Sequence, residues 1–342
     1  MTILKCPAAE ISRLPDTSET ATWRSLSPAD RKDVLMAKKH NSSGLAEAIP
    51  FILPSFVGLI VFSLIPIISS LAISLTNWDG LTSLTLFTDT RSFFSAFFVG
   101  LNNFRGILIS AEFWKVLKNT MYFIVLYLPL IILTSILVAK ILNKNYRGMG
   151  FFRVLYYIPV LTSWVAGALI WKWALSPRYG IINDILGHIG IEGPKWLQSE
   201  IWAMPSIVLA SIWKDVGYFG LIFLGGLQGI DPSYYEAAEI DGANAWQKFR
   251  NITFPLLSPV TFFVVIICLI NSFQLFPQVM VMTKDAGPNG ATQVMVERIY
   301  KYAFKYNKMG YAAAMSWILF AIIFIFMAIQ MKLQKKWVYY DE

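Results

Sequence analysis

The 342 residues are 56% hydrophobic and only 15% charged, with a mean hydropathy of +0.54, which excludes a soluble globular surface of ordinary charge density. The formal net charge of +8 is dispersed along the chain rather than gathered into a basic stripe, so no nucleic-acid partner is expected. In so apolar a chain, excess Lys and Arg flank membrane spans and meet anionic lipid. Of the two cysteines, Cys6 lies in a polar leader and Cys268 in an apolar block, which implies no disulfide.

The leader, residues 1–46, reads as a polar cytoplasmic extension ahead of a six-span domain over 47–342. It lacks the basic-then-apolar start of a cleaved signal peptide, so the first apolar block is expected to direct insertion. Within it, Ser27, Pro28 and Asp30 have the chemistry of a helix start, and predict a short solvated or membrane-surface helix towards Lys39.

Six apolar blocks then follow: Ala48 to Leu75, Thr120 to Ile141, Phe152 to Trp173, Trp202 to Leu227, Pro259 to Met282 and Tyr311 to Met331. Each approaches or exceeds the roughly 20 residues that a helix rising about 1.5 Å per residue needs to cross the hydrocarbon. An even number puts both termini on one side. The short turn with Lys140, Lys144, Arg147 and Arg153, which carries no acid, marks that side as cytoplasmic. Between spans three and four, Gly180 to Gly187 has apolar residues at helical spacing. Trp171, Trp173, Trp196 and Trp202 are expected to anchor at the lipid headgroups.

The segment between spans four and five, 231–257, carries the most local information. Asp231 caps a helix beginning at Pro232, and Gly242 supplies the left-handed residue that ends it. Asn244 and Gln247 have the spacing of a capping box for a second short helix, which Pro255 is expected to stop soon after Ile252. On the first helix, Ala237 and Ala238 leave room for another protein's backbone, and Glu236 and Glu239 offer carboxylates to a basic partner.

The run YEAAEIDGA with Ile252 and Pro255 resembles the EAA loop of permease subunits of binding-protein-dependent ABC importers. Phe254 stands where that family has Leu. The stretches ISLTNWDGL from Ile73, GLNNF from Gly100, FLGGLQGI from Phe223 and MTKDAGP from Met282 resemble its carbohydrate-uptake, maltose-type branch, although Lys284, Asp285 and Ala286 replace residues that are usually glycines there. The resemblance implies an all-α membrane protein with the type I importer permease fold: six transmembrane helices and a cytoplasmic helix-turn-helix coupling loop. It implies further that Glu236, Ala237, Ala238, Glu239 and Gly242 engage an ATPase. The implied partners are a second, related permease subunit, two ABC ATPase subunits with their ATP and Mg, an extracytoplasmic binding protein, and a carbohydrate. No GxxxxGK[ST] phosphate loop occurs in this chain, so the permease itself is read as non-catalytic and without its own cofactor or metal.

Polar residues within spans are costly and usually face a cavity or a partner helix. Lys214, Asp215 and Tyr218 lie in the fourth span, and Asn271, Ser272 and Gln274 in the fifth. Lys214 and Asp215 read equally as a path-facing pair or as a surface pair. By the resemblance, Tyr218, Asn271 and Ser272 fall where the maltose-type permease lines its sugar site, and Asp215 joins them as a candidate. Cys268, Asn271, Ser272 and Leu275 share a helix face, yet such residues also serve helix-to-helix hydrogen bonds. A glycerol phosphate or acidic sugar remains an alternative cargo. An ATP-independent secondary transporter is the other reading, for which the spans supply almost no coupling carboxylate except Asp215.

Overall fold

The computed structural model describes residues 49–82, 89–144 and 146–339. The leader, its expected helix from Ser27 and Cys6 lie outside the described residues. Those described divide into two units, 49–69 and 70–339. The division falls within the first helix, α1, Ile49–Ser74. Up to residue 69 this helix is exposed almost throughout, as a lipid-facing or partner-facing helix would be. A π-helical turn over Ile60–Leu64 leads into Pro66, whose missing N–H would otherwise leave a gap in the ladder.

The second unit is all-helical apart from one isolated bridge between Thr76 and Phe98. Short helices α2, Thr90–Phe97, and α3, Asn102–Ile109, precede α4, Ala111–Leu142. Asn103 ties the start of α3 back to the chain by donating to the carbonyls of Ser74 and Thr76 at 2.9 and 2.7 Å. There follow α5, Met149–Leu161, α6, Trp164–Ala174, α7, Ile181–His188, and α8, Ala203–Gln228. The remainder is α9, Pro232–Ile240, α10, Ala245–Leu256, α11, Ser258–Phe273, α12, Pro277–Met282, α13, Met295–Tyr300, and α14, Met309–Trp337.

Among the described residues, helices α1, α4, α8 and α14 are long and apolar enough to cross a membrane; α5 with α6, and α10 with α11, are bent pairs that bring the number to six where each pair counts as one span. The third block is not one straight span: its halves meet at 96° across Thr162 and Ser163. The fifth also differs from expectation. Its helix ends at Phe273 and the chain resumes helix at Pro277, because a proline there has no N–H to continue the ladder. Nor does Pro255 stop the preceding helix. A π-helical turn over Phe249–Thr253 absorbs the missing donor, and helix continues to Leu256 before bending by 64° into α11.

The main core lies between α4 and α8, where Phe123, Ile131, Phe219 and Phe223 are fully buried, and extends to Val264 and Cys268 of α11. Glycines let α8 approach its neighbours closely. A Cβ on Gly217 would lie 2.0 Å from the carbonyl oxygen of Tyr156 in α5. The four tryptophans are only partly free to anchor at an interface: Trp171 packs edge-on against Trp213, and the Trp196 indole donates to the Asn183 side chain, whereas Trp173 is exposed. The expected helix from Gly180 is present as α7.

At the end of the second unit where α4 begins, Arg298 of α13 meets Glu112 at 3.2 Å, and Lys301 meets the fully buried Glu297 at 2.7 Å. Tyr302 donates to Glu112, and burial, reinforced by that bond, pushes its hydroxyl above the usual phenol range. The knot fixes the segment between the fifth and sixth spans onto the start of the second.

Replacing Gly217 with alanine must push α8 away from α5, and overpacking of this kind costs about 1–3 kcal/mol. The purified Gly217→Ala protein should unfold at lower temperature in detergent, while Gly58→Ala, whose Cβ would meet nothing within 4 Å, should not. Equal melting of the two variants would contradict the close packing described.

Candidate functional site

Two sites emerge, joined by α8. The first is the hairpin of α9 and α10. Asp231 accepts from the Ser233 amide at 2.8 Å, which caps α9 and holds the carboxyl below its usual range. Gly242 takes φ +73° at the turn. Asn244 accepts from the amides of Trp246 and Gln247, and Gln247 reaches back to the Asn244 amide at 2.7 Å, completing the capping box.

Lys248 then spans the hairpin to Glu239 at 2.7 Å, a hydrogen bond and charge contact that keep the Glu239 carboxyl below its usual range. The Tyr235 and Thr253 hydroxyls meet at 3.0 Å beneath it. These bonds make the hairpin one rigid piece. Glu236 and Ala237 are exposed on it and Ala238 half-buried, and the Glu236 carboxylate has no partner among the described residues. Apolar side chains stand out around them: Ile240 is 88% exposed, Trp246 66% and Phe254 51%. An isolated hairpin gains nothing from such exposure, but a protein-docking face does.

The second site is a cavity of ≈ 260 Å³ between α4, α6, α8 and the break after α11. Tyr127, Ser211, Asp215, Asn271, Ser272, Gln274 and Gln278 supply its polar lining, and Phe123 and Trp164 are among its apolar walls. Tyr127 donates to Asp215 at 2.8 Å. The Ser272 hydroxyl is turned to the Cys268 carbonyl at 2.6 Å, and Gln278, 7% exposed, has its Oε1 without a hydrogen-bond partner. A buried carbonyl oxygen of this kind is an acceptor available to a hydroxyl.

Of the four residues read as solute contacts, Asp215, Asn271 and Ser272 therefore share the cavity. Tyr218 does not line it; it lies one turn further along α8, exposed, with its ring against Phe219. Lys214 and Asp215 are not a surface pair. Lys214 is buried and donates to the carbonyls of Pro159, Val160 and Thr162, while Asp215 turns to Tyr127. Cys268 and Leu275 of the shared face are buried in the core, and Asn271 is exposed. Tyr127, Trp164, Ser211 and Gln278 join the cavity without having stood out in the sequence. Gln278 had a signal, as the one amide in the apolar run PQVMVM. Tyr127 and Trp164 look like ordinary span aromatics.

Residues 120–339 match the family described as the binding-protein-dependent transport system inner membrane component. The chain belongs to that family of importer permeases. Over 308 residues it is 34% identical to the probable ABC transporter permease protein YesP of Bacillus subtilis (strain 168), covering 89% of this chain and 94% of that protein. It is 32% identical over 285 residues to the lactose transport system permease protein LacF of Rhizobium radiobacter, covering 82% of this chain and 91% of the relative. In fold it resembles a chain of the bacterial alginate ABC transporter crystallised with an alginate pentasaccharide-bound periplasmic protein. The TM-score is 0.72 at 22% identity, covering 87% of this chain and 96% of the other.

Proposed function

We propose that this permease forms half of the translocation path for a carbohydrate, fed by an extracytoplasmic binding protein and driven by two ATPase subunits, one of which docks on the α9–α10 hairpin. The observation that carries the reading is the connection between the two sites. Helix α8 lines the cavity with Ser211 and Asp215 and, after Gly229 and Ile230, enters the hairpin at Asp231. A pull on one end is thus felt at the other through a single helix.

In this reading Glu236, Ala237, Ala238, Glu239 and Gly242 form the docking face on the cytoplasmic side. Both termini then lie in the cytoplasm. ATP and Mg are bound by the ATPases, and a second, related permease completes the path. Asp215, Asn271 and Ser272 contact the solute within this chain's cavity, and Tyr218, exposed on α8, contacts solute or the second permease across the path. Amides, hydroxyls and aromatic faces are the groups that recognise sugar hydroxyls and the apolar face of a pyranose.

An acidic sugar is the second reading, favoured by the alginate transporter of like fold. Against it, the cavity lining contains Asp215 and no Lys, Arg or His. A carboxylate in the wall opposes an anionic cargo by like charge in a medium of low dielectric, so a neutral glycan is the better fit. The same argument disfavours glycerol phosphate. ATP-dependent uptake into proteoliposomes holding the whole importer, with neutral oligosaccharides and oligouronates offered separately, decides between them. ATP-independent uptake would instead favour the secondary-transporter reading.

Glu236→Lys reverses the charge of the docking face without touching any span, and should abolish uptake and lose the ATPase on purification while the permease still inserts. Unchanged transport with unchanged ATPase recovery would remove that role. Asn271→Ala should raise the half-saturating solute concentration about tenfold, the loss of about 1.4 kcal/mol that one or two hydrogen bonds supply, with assembly intact. A failure of assembly would assign Asn271 to helix packing.

A further inference from the structure

The bend in the third span needs a cause. A helix that stops within a span leaves carbonyls with no amide to bond, and in hydrocarbon each unsatisfied group costs several kcal/mol. Helix α5 stops at Leu161, and Ser163 restarts the chain as α6 by accepting from the Ala166 amide at 3.2 Å. Three of the carbonyls around the break converge on one group, that of Pro159 while also accepting from the Thr162 amide at 3.3 Å and the Thr162 hydroxyl at 2.7 Å. The Lys214 ammonium donates to Pro159 at 3.1 Å, Val160 at 3.0 Å and Thr162 at 2.8 Å.

A Lys ammonium has three donors, and here all three are used. The same nitrogen lies 5.3 Å from the ring centre of Trp164, the first residue after the break. Its charge falls at the C-terminal end of α5, where the helix dipole favours a cation. Lys214 is near the midpoint of α8 and only 6% exposed. One turn on, Gly217 abuts the carbonyl of Tyr156, so the two helices touch backbone to backbone beside the clamp.

We propose that Lys214 is a positioning residue: it holds the third span folded at Thr162 and Ser163, and thereby presents Trp164 as a wall of the solute cavity. Lys214 does not line the cavity itself; Trp164 and the neighbouring Asp215 do. Two adjacent residues of α8 thus do different work. Lys214 sets the shape of the wall, and Asp215 with Tyr127 sets its polarity. That the cavity holds solute rests on the proposed transport function, whereas the fold of the third span does not.

The test is a distance. Nitroxides on Phe151→Cys and Trp173→Cys, both well-exposed positions, in a Cys6→Ser background with Cys268 left buried, report the angle between α5 and α6. At about 1.5 Å per residue the labelled backbones would be about 33 Å apart in a continuous helix, and roughly 22 Å apart across the bend. Pulsed electron resonance on the assembled importer should give the short distance with Lys214 present. Lys214→Met should lengthen it by about 5 Å or more, or split it into two populations. Lys214→Arg, which restores charge and donors, should return it to the short value. In parallel, the fluorine signal of 5-fluorotryptophan at position 164, identified by its loss in Trp164→Phe, should shift in Lys214→Met and recover in Lys214→Arg.

A short distance and an unshifted signal in Lys214→Met would overturn the proposal. If that variant does not assemble, the same distance in Lys214→Gln decides: lengthening supports the clamp and the short value overturns it. Loss of transport specificity for sugars, with the distances as expected, would overturn the proposed cargo and leave the clamp standing.

Discussion

The fold depends on satisfying backbone groups where water cannot. A membrane span is stable because every carbonyl finds an amide within its own helix, and this protein interrupts that arrangement at the bend between α5 and α6 and at the gap between α11 and α12. At the first interruption the compensation is the Lys214 ammonium, shared among three carbonyls. At the second, Pro277 begins the next helix at a position where its missing amide is not needed. Both interruptions border the same cavity. The irregular backbone is therefore located where the permease needs a concave polar surface, and straight helix serves elsewhere.

The hairpin of α9 and α10 obeys a different constraint. As the proposed coupling element it has to transmit a push, yet it has almost no core of its own. Its stiffness comes from local bonds: the Asp231 cap, the Asn244 and Gln247 box, and the Lys248 bridge to Glu239. Each is individually modest, and the exposed bridge contributes little to global stability. Their joint effect is to leave the hairpin one conformation, with its apolar rim of Ile240, Trp246 and Phe254 held outward. Rigidity of this sort, continuous with α8, is what a coupling element between two proteins requires.

Much of this was legible in the sequence because it is local. Caps, the turn glycine and the apolar blocks are set by residues a few positions apart, and the hairpin's caps and turn match their expectation down to the capping box. What escaped is long-range. Nothing near Lys214 reveals that its partners lie more than fifty residues earlier, so a buried clamp and an exposed pair read alike. The bend of the third span was hidden by the unbroken hydropathy of its block, and the π turn before Pro255 by the ordinary expectation that proline ends a helix. Asn271 and Ser272 announced themselves by polarity inside an apolar run, whereas Tyr127 and Trp164 entered the cavity through tertiary packing alone. Tyr218 illustrates the converse: its place by resemblance is near the right turn of α8, but its ring lies outside the cavity.

The central claim is that the α9–α10 hairpin is the seat of an ATPase. A photo-crosslinking amino acid at Ala237, exposed beside the exposed Glu236, tests it most directly in cells producing the complete importer. The account predicts covalent capture of a protein bearing a Gly-Lys-Ser or Gly-Lys-Thr phosphate loop, with capture lost in the Glu236→Lys background. No crosslink at Ala237, or capture of a protein without that loop, would contradict it.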